Sequence, residues 1–249
     1  MDVVEKPHQW VIPLSSHPTR VKYENPKIWR WKNWEPNTPF APKFDIPIYM
    51  DNCGYDLSSK LVDIICKESI CRERDSDNWM TYNIFDWDFL ELKVLCDKIY
   101  HMYEDYVSEL GLPCLTKDKI WIRGWGLALD DGRGVMHHSH SFHENSFLSG
   151  NLSLSTLTPP TTTDYYFPYL GWYFGYWMVQ ITLGKIMLFP SWLEHKVDKN
   201  TTGQVRISLG FDMFTEHSIE YVSNNRNQSS ALQKTLLLSK RMDHVYLVV

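Results

Sequence analysis

Five histidines are the residues of this chain best suited to metal chemistry. Four lie within seven positions, His137, His138, His140 and His143, and the fifth, His195, lies far along the chain. Residues two apart on a strand point to the same side, so His138 and His140 can both reach one ion. Neutral imidazole nitrogens suit Fe(II), Zn(II), Cu(II) and Ni(II). The spacing predicts a catalytic metal site with His195 as the distant ligand, although a histidine-rich segment of this kind can also be a solvated loop.

Arg206 is a further candidate for a functional site, because it interrupts an otherwise apolar, strand-like run. On a strand it shares a face with Ser208. If that face is buried, the guanidinium needs an anionic partner, since an unpaired buried charge is costly. A carboxylate held in a bidentate fork, with the Ser208 hydroxyl as a further donor, meets this need. If the face is exposed, Arg206 is a surface charge, and the sequence leaves both directions open.

The composition of the 249-residue chain argues against several classes of protein. The net charge is −5 and no basic block is present, so a nucleic-acid partner is not expected. No stretch reaches the roughly 18 apolar residues that cross a bilayer, and the N-terminus lacks the pattern of a signal peptide. The five cysteines have no CxxC spacing and are expected to be reduced thiols. We therefore expect a cytoplasmic protein without a membrane partner, and the oligomeric state stays open.

Helical patterns come first along the chain and strand patterns follow. Apolar residues three and four apart predict one helix from Asp56 and a longer helix at about 87–110. The apolar runs after Lys119 predict strands at 120–129, 146–157, 176–183, 185–189 and 205–214. This order favours an α+β domain whose helices pack on one face of a β-sandwich or barrel.

The chain divides into four segments, which we expect to form one structural domain. They are an irregular, Trp-rich N-terminal extension at 1–55, a helical support at 56–115, a β-rich core at 116–214, and a C-terminal tail at 215–249. The tail has one predicted helix, near 230–241. An aromatic segment at 165–177 is predicted to be either a buried plug or a lid over a pocket.

Several short motifs follow one another in a recognisable order within residues 120–214. They are Trp125-Gly-Leu-Ala-Leu-Asp-Asp-Gly-Arg-Gly134, His138-Ser-His140, Leu148-Ser149-Gly150, Phe189-Pro190-Ser191…His195 and Arg206-Ile-Ser208…Phe211-Asp212. In this order they resemble the 2-oxoglutarate, Fe(II)-dependent oxygenases, and in particular a branch found in bacteria and phages. The second half of the resemblance, from Phe189 onward, is the more specific part.

The resemblance implies a fold, two cofactors and a set of site residues. The core at 116–214 would be a double-stranded β-helix, a jelly-roll or cupin-like barrel, with iron and 2-oxoglutarate in its mouth. The implied metal ligands are His138, His140 and His195, and the implied partners of the distal 2-oxoglutarate carboxylate are Arg206 and Ser208. With dioxygen, such a site would hydroxylate a small molecule or an amino-acid-like substrate.

One ligand position departs from the pattern of the family. These oxygenases generally use His-x-Asp or His-x-Glu with a distal histidine, whereas His140 occupies the carboxylate position here. Counting back from Ser149-Gly150 points instead to His143, and Glu144 and Asn151 are further candidates for the site. The centre is therefore all-histidine, or has two histidines completed by water, or holds its iron weakly.

A second class of function fits the same residues. The chain could be a non-catalytic or other-metal cupin-like binding module that kept the fold and lost iron oxygenase chemistry. The missing carboxylate ligand favours this alternative. The joint presence of His195, Arg206 and Ser208 in the order of the family favours the oxygenase, because a module without the dicarboxylate has no use for that arginine.

Overall fold

Two antiparallel sheets and two helices make up the described part of the chain. The structure, a computed structural model, describes residues 20–22, 27–32, 44–71, 82–140, 148–166, 176–215 and 236–237. Twelve strands are found there: β1 (Arg20–Lys22), β2 (Ile28–Lys32), β3 (Asp45–Asn52), β4 (Ile120–Leu129), β5 (Val135–His138), β6 (Leu148–Ser153), β7 (Thr162–Tyr166), β8 (Tyr176–Gln180), β9 (Lys185–Pro190), β10 (Glu194–Val197), β11 (Arg206–Thr215) and β12 (Leu236–Leu237).

The helices are α1 (Tyr55–Lys67) and α2 (Leu90–Glu109), close to the two predicted positions. Each buries one apolar stripe, and the stripe of α2 includes Leu92, Leu95 and Ile99, which are all fully buried. This is the packing expected of an amphipathic helix on a sheet. Neither helix, among the residues described, is long and apolar enough to cross a membrane.

The larger sheet has eight strands in the order β1-β2-β3-β9-β6-β11-β4-β12, and the smaller sheet has four in the order β5-β10-β7-β8. Neighbouring strands in space are mostly distant in the chain, as in a jelly-roll. The five strands predicted between residues 120 and 214 are confirmed, with ends that shift by a few residues. Both helices precede strands β4 to β12, which agrees with the predicted α+β class, whereas β1, β2 and β3 come before the helices.

Alternate residues of β11 divide between two environments, because successive side chains on a strand point to opposite faces. One face lies in the large core beneath the helices and consists of Ile207, Leu209, Phe211 and Met213. The other face, made of Arg206, Ser208, Gly210 and Asp212, looks towards the smaller sheet. A second core, which includes Tyr165 and Phe189, fills part of the space between the two sheets.

Two predictions about the ends of the chain differ from the structure. Strands β1, β2 and β3 lie within the segment 1–55 that was predicted to be an irregular extension, although the alternation of Trp29 and Trp31 with charged residues is typical of a short strand and falls in β2. These strands extend the larger sheet, and Ile48 and Tyr49 are completely buried there. The helix predicted near 230–241 falls mostly outside the described residues. The two residues described in that range, Leu236 and Leu237, pair with β4 as strand β12 instead.

Gly150, in the Ser149-Gly150 motif, is required by close packing beneath the helices. A Cβ atom there would overlap the Phe211 ring and the carbonyl oxygen of Met187 on the neighbouring strand. We expect Gly150→Ala to lower the free energy of unfolding by about 3 kcal/mol, the upper part of the overpacking range, because a sheet carbonyl cannot move aside. Chemical denaturation followed by circular dichroism measures the change.

Gly126→Ala is the matched control, because it is also a strand glycine beneath the helices. The three atoms nearest to its added Cβ would all belong to side chains, with the Ile65 Cγ1 at 2.9 Å and the Cys71 Sγ at 3.0 Å. These side chains can shift, so this variant is expected to be the less destabilised of the two. An equal loss of stability in both variants would contradict the packing argument.

Candidate metal centre

His138 and His195 face each other across a pair of antiparallel strands. His138 ends β5, His195 lies in β10, and the two residues are register partners in the smaller sheet. Directly opposed residues have Cβ atoms about 4.5–5.5 Å apart, so their side chains meet on the same face. The two imidazole rings have centroids 4.4 Å apart. Strand register therefore brings together two histidines that are 57 positions apart in the chain.

His140 reaches the same place by a different route. The prediction that it shares a strand with His138 is wrong, because β5 ends at His138 and His140 lies in the connection that follows. Its backbone N–H donates to the carbonyl oxygen of Ser191 at 2.9 Å, which holds the segment against the turn before β10. The Nε2 atoms of His138 and His140 are 3.1 Å apart. The three residues His138, His140 and His195 offer ligand atoms that all lie within 4.8 Å of one another.

The Nδ1 atoms of the two strand histidines are both anchored to backbone carbonyls. The His138 Nδ1 lies 2.7 Å from the carbonyl oxygen of Met136, and the His195 Nδ1 lies 3.1 Å from that of Leu193. A carbonyl can only accept, so each Nδ1 must carry the hydrogen. The remaining nitrogen, Nε2, then keeps its lone pair, which is the state that a metal requires of a histidine ligand.

Burial also keeps these rings neutral. Removal from water lowers the pKa of His195 well below its ordinary value, and the neighbouring His140 and His138 lower it further. Burial likewise lowers the pKa of His138, and His140 adds to that shift. Desolvation penalises the charged imidazolium, so both rings are unprotonated near neutral pH. His138 and His195 can thus bind a cation without first losing a proton.

A hydrogen-bonded ring of side chains fixes His140. Its Nδ1 donates to Asp212 Oδ1 at 2.6 Å, and the same oxygen accepts from the Ser149 hydroxyl at 2.7 Å. The Ser149 and Ser191 hydroxyl oxygens are 2.9 Å apart, and Ser191 also holds the His140 backbone. Asp212 was not predicted to act at the site. The signal was available, because Asp212 lies an even number of residues from Arg206 and so shares its face of β11.

Arg206 points inward and is almost fully buried, which answers the question of direction that the sequence left open. Its Nη1 donates to the Thr162 carbonyl oxygen and its Nη2 to the Thr163 hydroxyl, both at 2.8 Å. Its Nε has no hydrogen-bond partner among the described residues. Burial lowers the pKa of Arg206 to about 10, so the guanidinium is still charged at neutral pH. A buried cation with an unused donor is a fit for a carboxylate.

The inner face of β7 connects Arg206 to the histidines. Tyr165 is the register partner of His195, with ring centroids 5.6 Å apart, and Thr163, which binds Arg206, lies two residues earlier on the same face. The Tyr165 hydroxyl accepts from Asn151 Nδ2 at 2.6 Å. Asn151, one of the further candidates, therefore lies inside the barrel between Arg206 and the three histidines. Ser208 lies on the same face of β11 as Arg206 and is partly exposed.

The other candidates fall outside the centre or outside the described residues. His137 points away from the three histidines, and its Nε2 lies 3.1 Å from Glu194 Oε2. His143 and Glu144 lie outside the described residues. The aromatic segment predicted as a plug or lid is divided, because Tyr165 and the residue after it belong to β7 and residues 176–177 belong to β8; positions 167–175 between them are not described.

The arrangement combines a neutral nitrogen centre with a buried cation. Three imidazoles whose ligand nitrogens lie within 4.8 Å of one another suit Fe(II), Zn(II) or Ni(II) and leave further coordination positions to small molecules. Arg206 supplies positive charge on the same inner face of the barrel. A molecule with a metal-chelating end and a carboxylate at the other end satisfies both groups, and the donor set therefore fits the iron and the dicarboxylate that the sequence resemblance implies.

Comparison with known families agrees with the resemblance seen in the sequence. A family model described as "Putative 2OG-Fe(II) oxygenase" matches residues 168–212. This range contains the motifs around His195 and Arg206, the more specific half of the resemblance, which is confirmed. No curated protein matches the chain significantly.

Solved structures share the fold at low sequence identity. A Pseudomonas putida prolyl-4-hydroxylase has a TM-score of 0.51 and 12% identity over 68% of this chain and 86% of that chain. SnoN, a non-heme alpha ketoglutarate dependent epimerase from nogalamycin biosynthesis, has a TM-score of 0.51 and 10% identity over 68% and 77%. EctD from S. alaskensis in its apo form has a TM-score of 0.50 and 13% identity over 69% and 73%. The predicted α+β, jelly-roll fold is thus confirmed.

His138 and His137 are adjacent in β5, and we expect only His138 to contribute to metal binding. We expect the protein to bind one equivalent of Ni(II) or Co(II), as measured by calorimetry. His138→Ala should weaken binding by more than the roughly 10- to 100-fold that loss of an outer-shell partner costs, because it removes a direct donor. His137→Ala is the matched control and should bind as the unmodified protein does. Equal weakening by both substitutions would show that the metal does not bind between the three histidines.

Proposed function

We propose that this protein is a non-haem Fe(II), 2-oxoglutarate-dependent oxygenase. The observation that carries the proposal is the convergence of three histidines on one point of a jelly-roll interior that also holds the inward-pointing Arg206. A histidine cluster or a buried arginine by itself would fit many kinds of protein. Together they match a metal that is chelated by a small dicarboxylate, and the shared fold and the family match support the same cofactors.

The residues of the chain divide the work of binding. His138, His140 and His195 would hold Fe(II) through their Nε2 atoms. Arg206 would bind the distal carboxylate of 2-oxoglutarate, with Ser208 as a further donor on the same strand face. When bound, the two cofactors supply the oxidation: dioxygen and 2-oxoglutarate give succinate and carbon dioxide, and one oxygen atom enters a C–H bond of the substrate.

The exposure of the three histidines differs and indicates where a substrate approaches. His140 and His195 are both 7% exposed, whereas His138 is less buried and follows the well-exposed Met136. Among the described residues, the more accessible side of the centre is therefore the side of β5. A substrate that approaches there would meet the metal without displacing Arg206 or Tyr165, which lie deeper. We propose a small molecule or an amino-acid-like compound as the substrate and hydroxylation as the reaction.

A spectroscopic titration tests the cofactors. Under anaerobic conditions, Fe(II) and 2-oxoglutarate together should give a weak visible metal-to-ligand charge-transfer band, and admission of oxygen should convert 2-oxoglutarate to succinate. His195→Ala should lose both signals because the centre loses a buried ligand, whereas His137→Ala should keep them. The proposal fails if the unmodified protein shows neither the band nor a thermal shift with 2-oxoglutarate.

The role of Arg206 can be tested separately from the metal. Arg206→Met should weaken 2-oxoglutarate binding by about 10- to 100-fold in the presence of Ni(II), since a hydrogen bond to a charged group is worth roughly 1.5–3 kcal/mol. The 2-oxoglutarate affinity of Arg206→Lys should lie between those of the unmodified protein and Arg206→Met. Lysine keeps the positive charge but not the forked guanidinium that also binds Thr162 and Thr163.

Lys199→Met is the control for the loss of one positive charge, because Lys199 is exposed. It should leave 2-oxoglutarate affinity unchanged. Calorimetric titration of each variant gives the affinities, and a parallel Ni(II) titration should show that the metal still binds. Wild-type affinity for 2-oxoglutarate in Arg206→Met would place the distal carboxylate elsewhere.

One observation favours a second candidate, a cupin-like module that binds another metal without oxygenase chemistry. His140 occupies the position where a ligand carboxylate is usual, and three neutral nitrogens are also a good set for Zn(II) or Ni(II). The spectroscopic titration separates the two functions. Tight binding of Zn(II) or Ni(II), with no charge-transfer band and no succinate, would support the binding module.

A further inference from the structure

Asp212 is a buried carboxylate whose hydrogen bonds, among the described residues, all go to one of its two oxygens. Asp212 is 2% exposed. Its Oδ1 accepts from His140 Nδ1 and from the Ser149 hydroxyl, but its Oδ2 has no hydrogen-bond partner among the described residues. A buried carboxylate is costly unless positive charge compensates it. Arg123, its register partner on β4, is a fully buried guanidinium and supplies positive charge. Burial lowers the pKa of Arg123, and the Asp212 charge opposes that shift.

Imidazole ligands bring no negative charge to a divalent ion. Asp212 lies on the far side of one of the three imidazoles, hydrogen-bonded to His140 Nδ1 at 2.6 Å. A carboxylate in that position draws the Nδ1 proton towards itself and makes the Nε2 atom a stronger donor to a metal. The Asp212 carboxylate and the metal site are thus separated by the width of one ring.

We propose that Asp212 replaces the missing ligand carboxylate by acting on the metal through His140. It is a positioning residue, because it does not touch the ion. It fixes the orientation and tautomer of the ring, and it supplies the negative charge that a directly bound Asp or Glu would supply. This inference rests on the proposed metal centre and adds the residue that completes its charge.

Direct metal binding is the first test. Asp212→Asn removes the charge but leaves an amide oxygen that can still accept from His140. We expect it to weaken Co(II) binding by roughly 10- to 100-fold in anaerobic calorimetry, the usual effect of losing an outer-shell carboxylate. Asp164→Asn removes another buried carboxylate, one held by Thr162 on β7, and should bind Co(II) as the unmodified protein does.

Ser149→Ala separates charge from scaffolding. It removes the second hydrogen bond to Asp212 Oδ1 and breaks the ring of contacts, but leaves the carboxylate charge in place. If charge is what matters, Ser149→Ala should change Co(II) affinity far less than Asp212→Asn does. Equal losses in the two variants would mean that Asp212 only holds the scaffold, and would overturn the proposal.

A double-mutant cycle tests whether Asp212 acts through His140. In a His140→Asp background the metal has a carboxylate ligand of its own, and Asp212 becomes a like charge next to it. Asp212→Asn should then leave Co(II) affinity unchanged or raise it, although the same change weakens binding when His140 is present. Equal weakening in both backgrounds would contradict an action through His140. If His140→Asp does not fold, His140→Ala replaces it, and Asp212→Asn should then have no further effect.

The visible band gives a readout that a merely structural role would not move. Loss of the carboxylate makes the iron less electron-rich, so the Fe(II)–2-oxoglutarate band of Asp212→Asn should shift to shorter wavelength. An unshifted band with unchanged metal affinity would overturn the proposal. If Asp212→Asn does not fold, Asp212→Glu is the second variant: it keeps the charge and should still bind Co(II), and failure of that variant to bind would count against a role of the charge.

The outcomes distinguish this inference from the proposed function. If the unmodified protein binds neither Co(II) nor Fe(II) with 2-oxoglutarate, the metal centre itself is wrong. If the unmodified protein binds both and Asp212→Asn behaves in the same way, the oxygenase proposal stands and only the role of Asp212 is wrong.

Discussion

The register of β11 within the larger sheet is the constraint on which the rest of the structure depends. This strand pairs over its whole length with β4 and over six residues with β6, so its position along both neighbours is fixed. A slip by one residue would exchange its two faces. The apolar set beneath the helices would then enter the barrel, and Arg206 and Asp212 would enter the hydrophobic core. Burial of the apolar face of β11 beneath the helices therefore places the polar residues of its other face inside the barrel.

The three histidines of the site are held in place in two different ways. Strand pairing in the smaller sheet brings His138 and His195 together, and it needs no special side-chain contacts to do so. His140 lies beyond the end of its strand and depends on hydrogen bonds to Ser191 and Asp212. This division accounts for the extended polar network at one ligand position and the single backbone carbonyl at each of the other two. The network supports the residue that the sheet does not hold.

Two opposite charges are buried on the inner face of β11. Arg206 brings a buried positive charge to one end of β11, and Asp212 brings a buried negative charge towards the other, with neutral histidines beside Asp212. A divalent metal next to Asp212 and a dianionic acid that extends towards Arg206 would balance both. A neutral, apolar ligand would leave Arg206 Nε and Asp212 Oδ2, which have no hydrogen-bond partner among the described residues, without one. The chemistry that we propose thus follows from how charges are distributed along one strand.

The sequence by itself predicted both helices, five of the twelve described strands, the fold class and the residue types of the site. Periodicity predicted both helices and five strands, and the motifs around His195 and Arg206 indicated the family. It did not determine which way Arg206 points, that His140 lies off the strand, or that Asp212 supports it. These depend on contacts between residues far apart in the chain, such as the 72 positions between His140 and Asp212. Local patterns record the propensity of a segment, and only tertiary packing decides which segments meet.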